Sequence, residues 1–364
     1  MERRRFSRPP VKQDHIIDDL RRRIIERVYA PGGRMPRRAD LQQHFQVSSV
    51  TIQRALDRLI EDGFVEARGR QGTFVSRHPP HRCHYGLVFP MQKSESSFVR
   101  FWTALGNEAQ ALSRGDGISV SCYHGIDGHQ EHEDYQRLVR DIRNARLAGL
   151  ILSTPPFQLV QTPIITQEGL PRISVMSYNH DYPGVVPLVL GVASFIDQAL
   201  DHLRARGRTR VALLSVPGHQ GQFHATFCAG LAARGMSTEA HWLQLCPPSA
   251  AVCARYVIHL LMHPDQRQRP DALVIADDNL VEHATVGLIA AGIKVPEDCD
   301  IIAHCNIPWP TPSLLPVARL GYDAREMLTL AMREIDRQRS GQEPADRIDL
   351  PARFEDSHPA APGA

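Results

Sequence analysis

Between residues 84 and 306, short apolar runs alternate with longer stretches of helical periodicity. The runs are YGLVFP, ISVSCY, LAGLILS and RISVMS, followed by RVALLSV, HWLQL, DALVIAD and DIIAHC; helical patterns cover 98–112, 135–145, 196–206, 223–234, 250–262 and 281–291. Apolar runs this short, separated by helices, predict parallel strands in sheets covered on both faces. Their number, and a break near Pro183 to Pro187, predict two similar doubly wound lobes. Ligands of such sheets sit beyond the carboxyl ends of the strands, so two facing lobes would enclose a cleft.

The chain ahead of this pattern follows a different rule. Ile16, Ile17, Leu20, Ile24, Ile25 and Val28 recur at helical spacing until APGGR stops them, and a shorter helix fits Arg38 to Phe45. QVSS then breaks the pattern, with Ser48 placed to cap a third helix near Thr51. Ile52, Ala55, Leu56, Leu59 and Ile60 fall on its inner side; Val50, Thr51, Gln53, Arg54 and Asp57 are left outside. Gly63 ends the helix, and FVEA and TFVS read as two strands joined by RGRQG. Three helices and a two-stranded wing make a winged helix-turn-helix.

Charge separates the two parts. Residues 1 to 82 hold 18 Lys+Arg against 10 Asp+Glu, while the remainder holds 24 against 30. A basic first module beside a mildly acidic remainder predicts a polyanionic partner for the first alone. The third helix fits the major groove of double-stranded DNA, where Arg and Gln pair with base edges and Val50 can touch a thymine methyl. The wing can lay Arg68, Arg70, Gln71 and the backbone at Gly72 along phosphates or the minor groove.

The expected organisation is a basic tail over 1–11, the winged helix-turn-helix over 12–77, a Pro- and His-rich linker over 78–83, the two-lobed α/β domain over 84–350 and a C-terminal tail over 351–364. No apolar run approaches the roughly 20 residues that cross a bilayer, and MERRRFSRPP does not lead into a signal peptide, so no membrane role and a cytoplasmic location are expected. The seven cysteines show no CxxC spacing and read as reduced core residues. His259 with His263, and His129 with His132, lack a third ligand of fixed spacing, so neither a metal nor another cofactor is expected.

The stretch PGGRMPRRADLQQHFQVSSVTIQRALDRLIEDGFVEARGRQGTFV resembles the DNA-binding domain of the GntR family of bacterial transcription regulators, over about residues 12 to 77. The family pattern runs P-G-x-x-L-P-S-x-x-x-L-A-x-x-F-x-V-S-R-x-T-V-R-x-A-L, then a G-L-[IV] turn and G-T-F-V. Here Arg37, Ala39, Ser49 and Gln53 replace the residues usual at positions that touch DNA. The resemblance thus implies the fold and the role but not the operator sequence. Arg37, Arg38 and Arg54 offer replacement charge, with Ser48, Ser49, Val50, Thr51 and Gln53 completing the expected DNA-reading set.

ALDHLRARGRTRVALLS, GLAARG and RPDALVIADDNLVEHATVGLIAAGIKVPEDCDIIAHCN resemble the effector-binding domain of the LacI/GalR family, a relative of periplasmic sugar-binding proteins. The last stretch follows P-T-A-[IV]-x-x-x-N-D-x-x-A-x-G-x-x-x-A-L-x-x-x-G-x-x-V-P-x-D-[IV]-[SA]-[IV]-x-G-[FY]-[DN]-[DN]. By that resemblance Asp278 would bond the effector and Asn306 would line the same cleft, although Asp278 also suits a cap for the helix beginning near Leu280. Phe98, Trp102 and Trp309 are further candidates to line the cleft. Phe227 stands where many relatives carry Arg in R-x-x-G-[FY], and Met176 or Ser177 replaces an acidic residue after PVVxxD.

The expected function is therefore a DNA-binding transcription regulator, of repressor sign, that works as a homodimer and responds to a small molecule, a sugar among the candidates. The competing reading is an enzyme fused to a DNA-binding module, as in GntR-type proteins with an aminotransferase-like domain. That chemistry needs a Schiff-base lysine, and Lys12, Lys93 and Lys294 are the chain's three.

Overall fold

The computed structural model describes residues 12–95, 98–115, 117–176, 178 and 181–357; the 1–11 tail, Ser177 and residues 358–364 lie outside them. Helices α1 (Lys12–Ile25), α2 (Arg38–Phe45) and α3 (Ser49–Glu61), with strands β1 (Val65–Ala67) and β2 (Thr73–Val75), form the N-terminal head. Its core gathers Ile16, Leu20 and Ile24 from α1, Leu41 from α2 and Ile52, Ala55, Leu56 and Leu59 from α3, so apolar spacing sets the packing. The Thr51 amide donates to Ser48 Oγ at 3.3 Å and starts α3, and Gly63 at φ +79° ends it. Helix α1 stops earlier than the spacing predicts. Arg27 turns into the left-handed region at φ +62°, so Val28 leaves the helix and stands exposed.

The expected linker is folded. Helix α4 (Pro80–Cys83) has Pro in its first turn, Pro80 and His81 are buried, and the His81 ring lies parallel to Phe64 at 5.7 Å. Proline suits a helix start as well as an extended spacer, so composition does not separate the two.

The first lobe follows as β3 (His84–Val88), α5 (Arg100–Leu112), β4 (Ser119–Tyr123), α6 (Glu133–Arg143), β5 (Gly149–Leu152), α7 (Pro163–Thr166), β6 (Arg172–Met176) and β7 (Val186–Gly191). The second contains α8 (Val192–Ala205), β8 (Val211–Ser215), α9 (Gln222–Ala233), β9 (Leu243–Leu245), α10 (Cys253–Leu261), β10 (Ala272–Ile275), α11 (Val281–Ala290), β11 (Asp300–Ile307) and β12 (Ala318–Asp323). The chain then returns to the first lobe as α12 (Ala324–Arg339) and β13 (Ile348–Pro351), and ends on the second as β14 (Arg353–Phe354).

The first sheet runs β4-β3-β5-β6-β7-β13, all parallel. The second runs β9-β8-β10-β11-β12, parallel, with β14 antiparallel at its edge. Helices α6 and α7 cover one face of the first sheet, and α5 and α12 the other. On the second sheet α10 and α11 oppose α8 and α9.

Two boundaries differ from expectation. The break at Pro183 to Pro187 is not the passage between lobes: Pro187 lies inside β7, and the chain crosses after Gly191. Strand β13 pairs with β7 only from Leu188 onward, so the missing Pro187 amide costs no bond on that side. Nor are residues 351–357 a tail. Pro351 ends β13, the Ala352 amide donates to Ser194 Oγ at 2.8 Å, and β14 pairs with β12. Three connections therefore join the lobes, after Gly191, Asp323 and Pro351.

Candidate functional site

The head presents α3 and the wing to solvent. Ser48, Ser49, Val50 and Arg54 are exposed, and Thr51 and Gln53 partly so. Gln53 donates to Asp57 Oδ1 at 2.6 Å, which turns its amide along the helix. Arg37 and Arg38 stand exposed where α2 begins, and Arg70 and Gln71 at the wing tip. Arg68 is placed differently: it pairs with Glu66 at 3.3 Å and lies over the Phe74 ring at 4.6 Å, so it braces the wing. Gly72 adopts φ +106°, and a Cβ there would approach the Arg34 guanidinium at 3.3 Å. Arg34 is thus an exposed basic neighbour of the wing that the sequence pattern did not single out.

Where α3 ends, the head meets the first lobe through buried charge. Asp62, 3% exposed, accepts from Arg21 of α1 at 3.0 Å and pairs with Arg58 at 3.4 Å. Arg146, ahead of β5, lies 3.8 Å from the other Asp62 oxygen and donates to Asp141 at 2.9 Å; Asp141 in turn accepts from Tyr123 at 2.8 Å. No local sequence signal announces this network, because its members come from separate elements of two domains.

Between the lobes lies a cavity of about 470 Å³, at the carboxyl ends of the strands as doubly wound sheets require. Trp102, Asp278 and Asn306 line it, together with Asp277, Tyr178 and Tyr322. Asn306 Nδ2 donates to Asp278 Oδ2 at 2.6 Å. The Asp278 side chain therefore points to Asn306 and does not cap α11, while Asp277 Oδ1 accepts from the Asn279 amide at 3.0 Å and so shapes the turn before that helix. Burial, then the neighbouring Asp277 charge, push the Asp278 carboxyl up to about 7; burial raises Asp277 as well. Burial lowers His219 to about 4 and His304 to about 3, so both rings in the lining are neutral near pH 7.

Phe98, Phe227 and Trp309 do not line this cavity. Phe227 is fully buried in the core beneath it, Phe98 packs against Phe89 and His124, and Trp309 turns away from the cleft. Trp309 Nε1 donates to Glu108 Oε1 at 2.9 Å, and Arg325 holds the other Glu108 oxygen at 2.9 Å. Glu108 thus joins α5, the loop after β11 and α12. At the cleft mouth the Arg100 amide donates to Asn279 Oδ1 at 3.1 Å and its guanidinium pairs with Glu282 at 3.0 Å, so the lobes touch there.

Among the described residues no group of three or more His, Cys, Asp or Glu side chains is placed to hold a metal, and no helix is long and apolar enough to cross a membrane.

Residues 12–75 match the family described as bacterial regulatory proteins, gntR family, and residues 200–355 match the periplasmic binding protein-like domain. The arabinose metabolism transcriptional repressor of Geobacillus stearothermophilus is 21% identical over 351 residues, which cover 86% of this chain and 90% of that protein. The protein of the same name from Halalkalibacterium halodurans is 21% identical over 196 residues, 50% of this chain, and the match spans about half of that relative's length, 49%. A LacI family transcriptional regulator from Arthrobacter sp. FB24, solved in complex with lactose, shares the fold at a TM-score of 0.57 and 18% identity, over 75% of this chain and 97% of that one. By its head the chain belongs to the gntR family of bacterial regulators, and behind that head it carries a periplasmic-binding-protein-like domain.

Proposed function

We propose that the chain is a transcription repressor that grips two operator half-sites as a homodimer and changes its grip when a small molecule occupies the cleft. The names of the repressor relatives support the sign and make carbohydrates the first class to consider. Arg37, Arg38, Arg54 and Arg70 would meet phosphates and base edges; Trp102, Asp278 and Asn306 would meet the effector.

The observation that carries this reading is helix α12. It begins beside the cavity, where Asp323 caps it by accepting from the Glu326 amide at 2.8 Å and the preceding Tyr322 lines the cleft. It ends at the linker: Asp336 accepts from Tyr85 of β3 at 2.8 Å, and the Arg339 charge acts on His81 in α4. Its 16 residues span about 24 Å, a rigid connection between cleft and linker. An effector that prefers one lobe arrangement would shift the population of head positions by its difference in affinity. Such a repressor works in the cytoplasm, beside the chromosome. Among the described residues no lysine lines the cavity, so nothing there supports an aminotransferase-like role.

For the dimer, α10 offers a surface. Val252, Tyr256 and Leu260 recur every fourth residue and are all exposed, with Ile289 exposed on neighbouring α11. An apolar stripe of this kind on a helix marks a contact surface. Fluorescence anisotropy with duplexes from around its own gene should show one bound far more tightly than a scrambled duplex, and sedimentation should give a dimer that Tyr256→Glu dissociates. Equal binding to every duplex would remove the repressor reading.

A further inference from the structure

The cavity is acidic and unbalanced. Asp277 and Asp278 stand side by side in its lining, and among the described residues no lysine or arginine lines it. Arg100, at the mouth, is engaged with Glu282. His219 and His304 are held neutral and offer no compensation. Asp277 also stands where the motif quoted above has Asn, so one of the two carboxyl groups is an addition to the pattern. Adjacent carboxyl groups withdrawn from water are costly unless a partner charge or a proton compensates them.

The remaining wall is aromatic and polar in a particular way. Phe101, Trp102, Phe157, Tyr178, Phe223 and Tyr322 supply ring faces and edges. Among the described residues, Ser153 Oγ, in a residue only 3% exposed, has no hydrogen-bond partner, and neither do the buried Tyr178 hydroxyl and the Nδ1 atoms of His219 and His304. All four residues line the cavity, and buried polar atoms left unpaired in this way point to a ligand that pairs them. Aromatic faces beside carboxylates, with no competing cation, are the surroundings in which an ammonium group is held.

We propose that the cleft is built for a cation: a ring-bearing amine whose ammonium lies against Asp277 and Asp278 and whose ring lies against the aromatic wall. This rests on the reading that the cleft holds the effector, and it excludes sugar phosphates and sugar acids from that role. Amino sugars and aromatic amines share this chemistry, and the test separates them.

Two matched series serve as probes: glucosamine, glucose and glucuronate, and tyramine, tyrosol and 4-hydroxyphenylacetate. Thermal unfolding of the full chain is followed with each at equal millimolar concentration and ionic strength, since a ligand of the folded state raises the melting temperature. In the series whose ring fits, the amine should bind at least about tenfold more tightly than the neutral member, and the acid should give no shift. Asp277→Asn, once its circular dichroism matches the parent, should shrink the amine's advantage while leaving the neutral member's weak shift in place. A neutral or acidic member binding best would overturn the charge assignment and leave the repressor reading standing. No shift from any probe would remove the cleft as a ligand site, and the effector response would fall with it. An amine preference undiminished in Asp277→Asn would also overturn the assignment, because the charge would then be met elsewhere.

Discussion

On the head, Arg37, Arg38, Arg54 and Arg70 stand exposed, and no ion pair holds them among the described residues; in the cleft, Asp277 and Asp278 are withdrawn from water with no cation in the lining. Unpaired charge costs little on a hydrated surface and much in a cavity. The head can therefore keep its arginines free for a polyanion, and their contribution will depend on salt. The cleft instead creates a demand that proton uptake or a ligand must meet. The junction at Asp62 is a third arrangement, in which charge is both buried and paired.

The largest effect should come from breaking that paired charge. Asp62→Ala takes the buried acid from Arg21 and leaves it only the exposed Asp18, at 3.0 Å, and a loss of about 3 kcal/mol in unfolding free energy is expected, measurable by denaturant titration. A loss below 1 kcal/mol would mean the network is solvated and the contrast with the surface arginines is void. Next comes the head itself. Arg54→Ala should weaken the preferred duplex by about 1–3 kcal/mol if it reads a base, or flatten the salt dependence by about one unit if it meets a phosphate. Unchanged affinity at every salt concentration would place the reading face elsewhere.

The cleft is tested by pH. The Asp278 carboxyl is raised when folded, so the folded state binds its proton more tightly than the unfolded chain, and the group's contribution to stability falls as pH rises from about 4 to about 7. The neutral Asn in Asp278→Asn lacks this dependence. The variant's unfolding free energy should therefore gain on the parent's across that range and level off above it, by no more than about 1.4 kcal/mol per pH unit for one proton. His219, His304, Tyr178 and Tyr322 line the same cavity, with Arg100 at its mouth; they are present in both proteins, so their effects largely cancel in the difference, whereas Asp277, whose charge acts on Asp278, is part of the difference measured. A flat difference would show that Asp278 is not withdrawn from water. The smallest effect is expected at Trp309→Phe. Losing the bond to Glu108 should cost about 1 kcal/mol, because Arg325 still holds that carboxylate. Any change in amine binding would return Trp309 to the cleft.

Much of this was legible in the sequence where the cause is local. Ser48, Gly63 and the spacing of Ile52, Ala55, Leu56 and Leu59 act within a few residues, and α3 begins and ends where they place it. Asp278 and Asn306 were named through the resemblance of their stretch to the LacI/GalR effector domain, and both stand at strand ends that open on the cleft. Trp309 shows the limit: closeness in sequence to Asn306 does not tell which way the chain turns, and here it turns toward Glu108. Helix α12, β12 and β13 continue the lobes beyond the expected alternation, and the pairing of Asp62 with Arg146 joins residues that only the assembled fold brings together.

That pairing constrains how such proteins can be recombined. Cutting the chain at its Pro-rich connector and grafting on a foreign operator-reading module would take away the acid that Arg146 faces across the seam, leaving it Asp141 alone, unless the newcomer also ends its third helix in an acid facing an arginine on its first. Chimeras of such regulators should thus be screened first for compatibility at this seam, before any concern with which promoter they recognise.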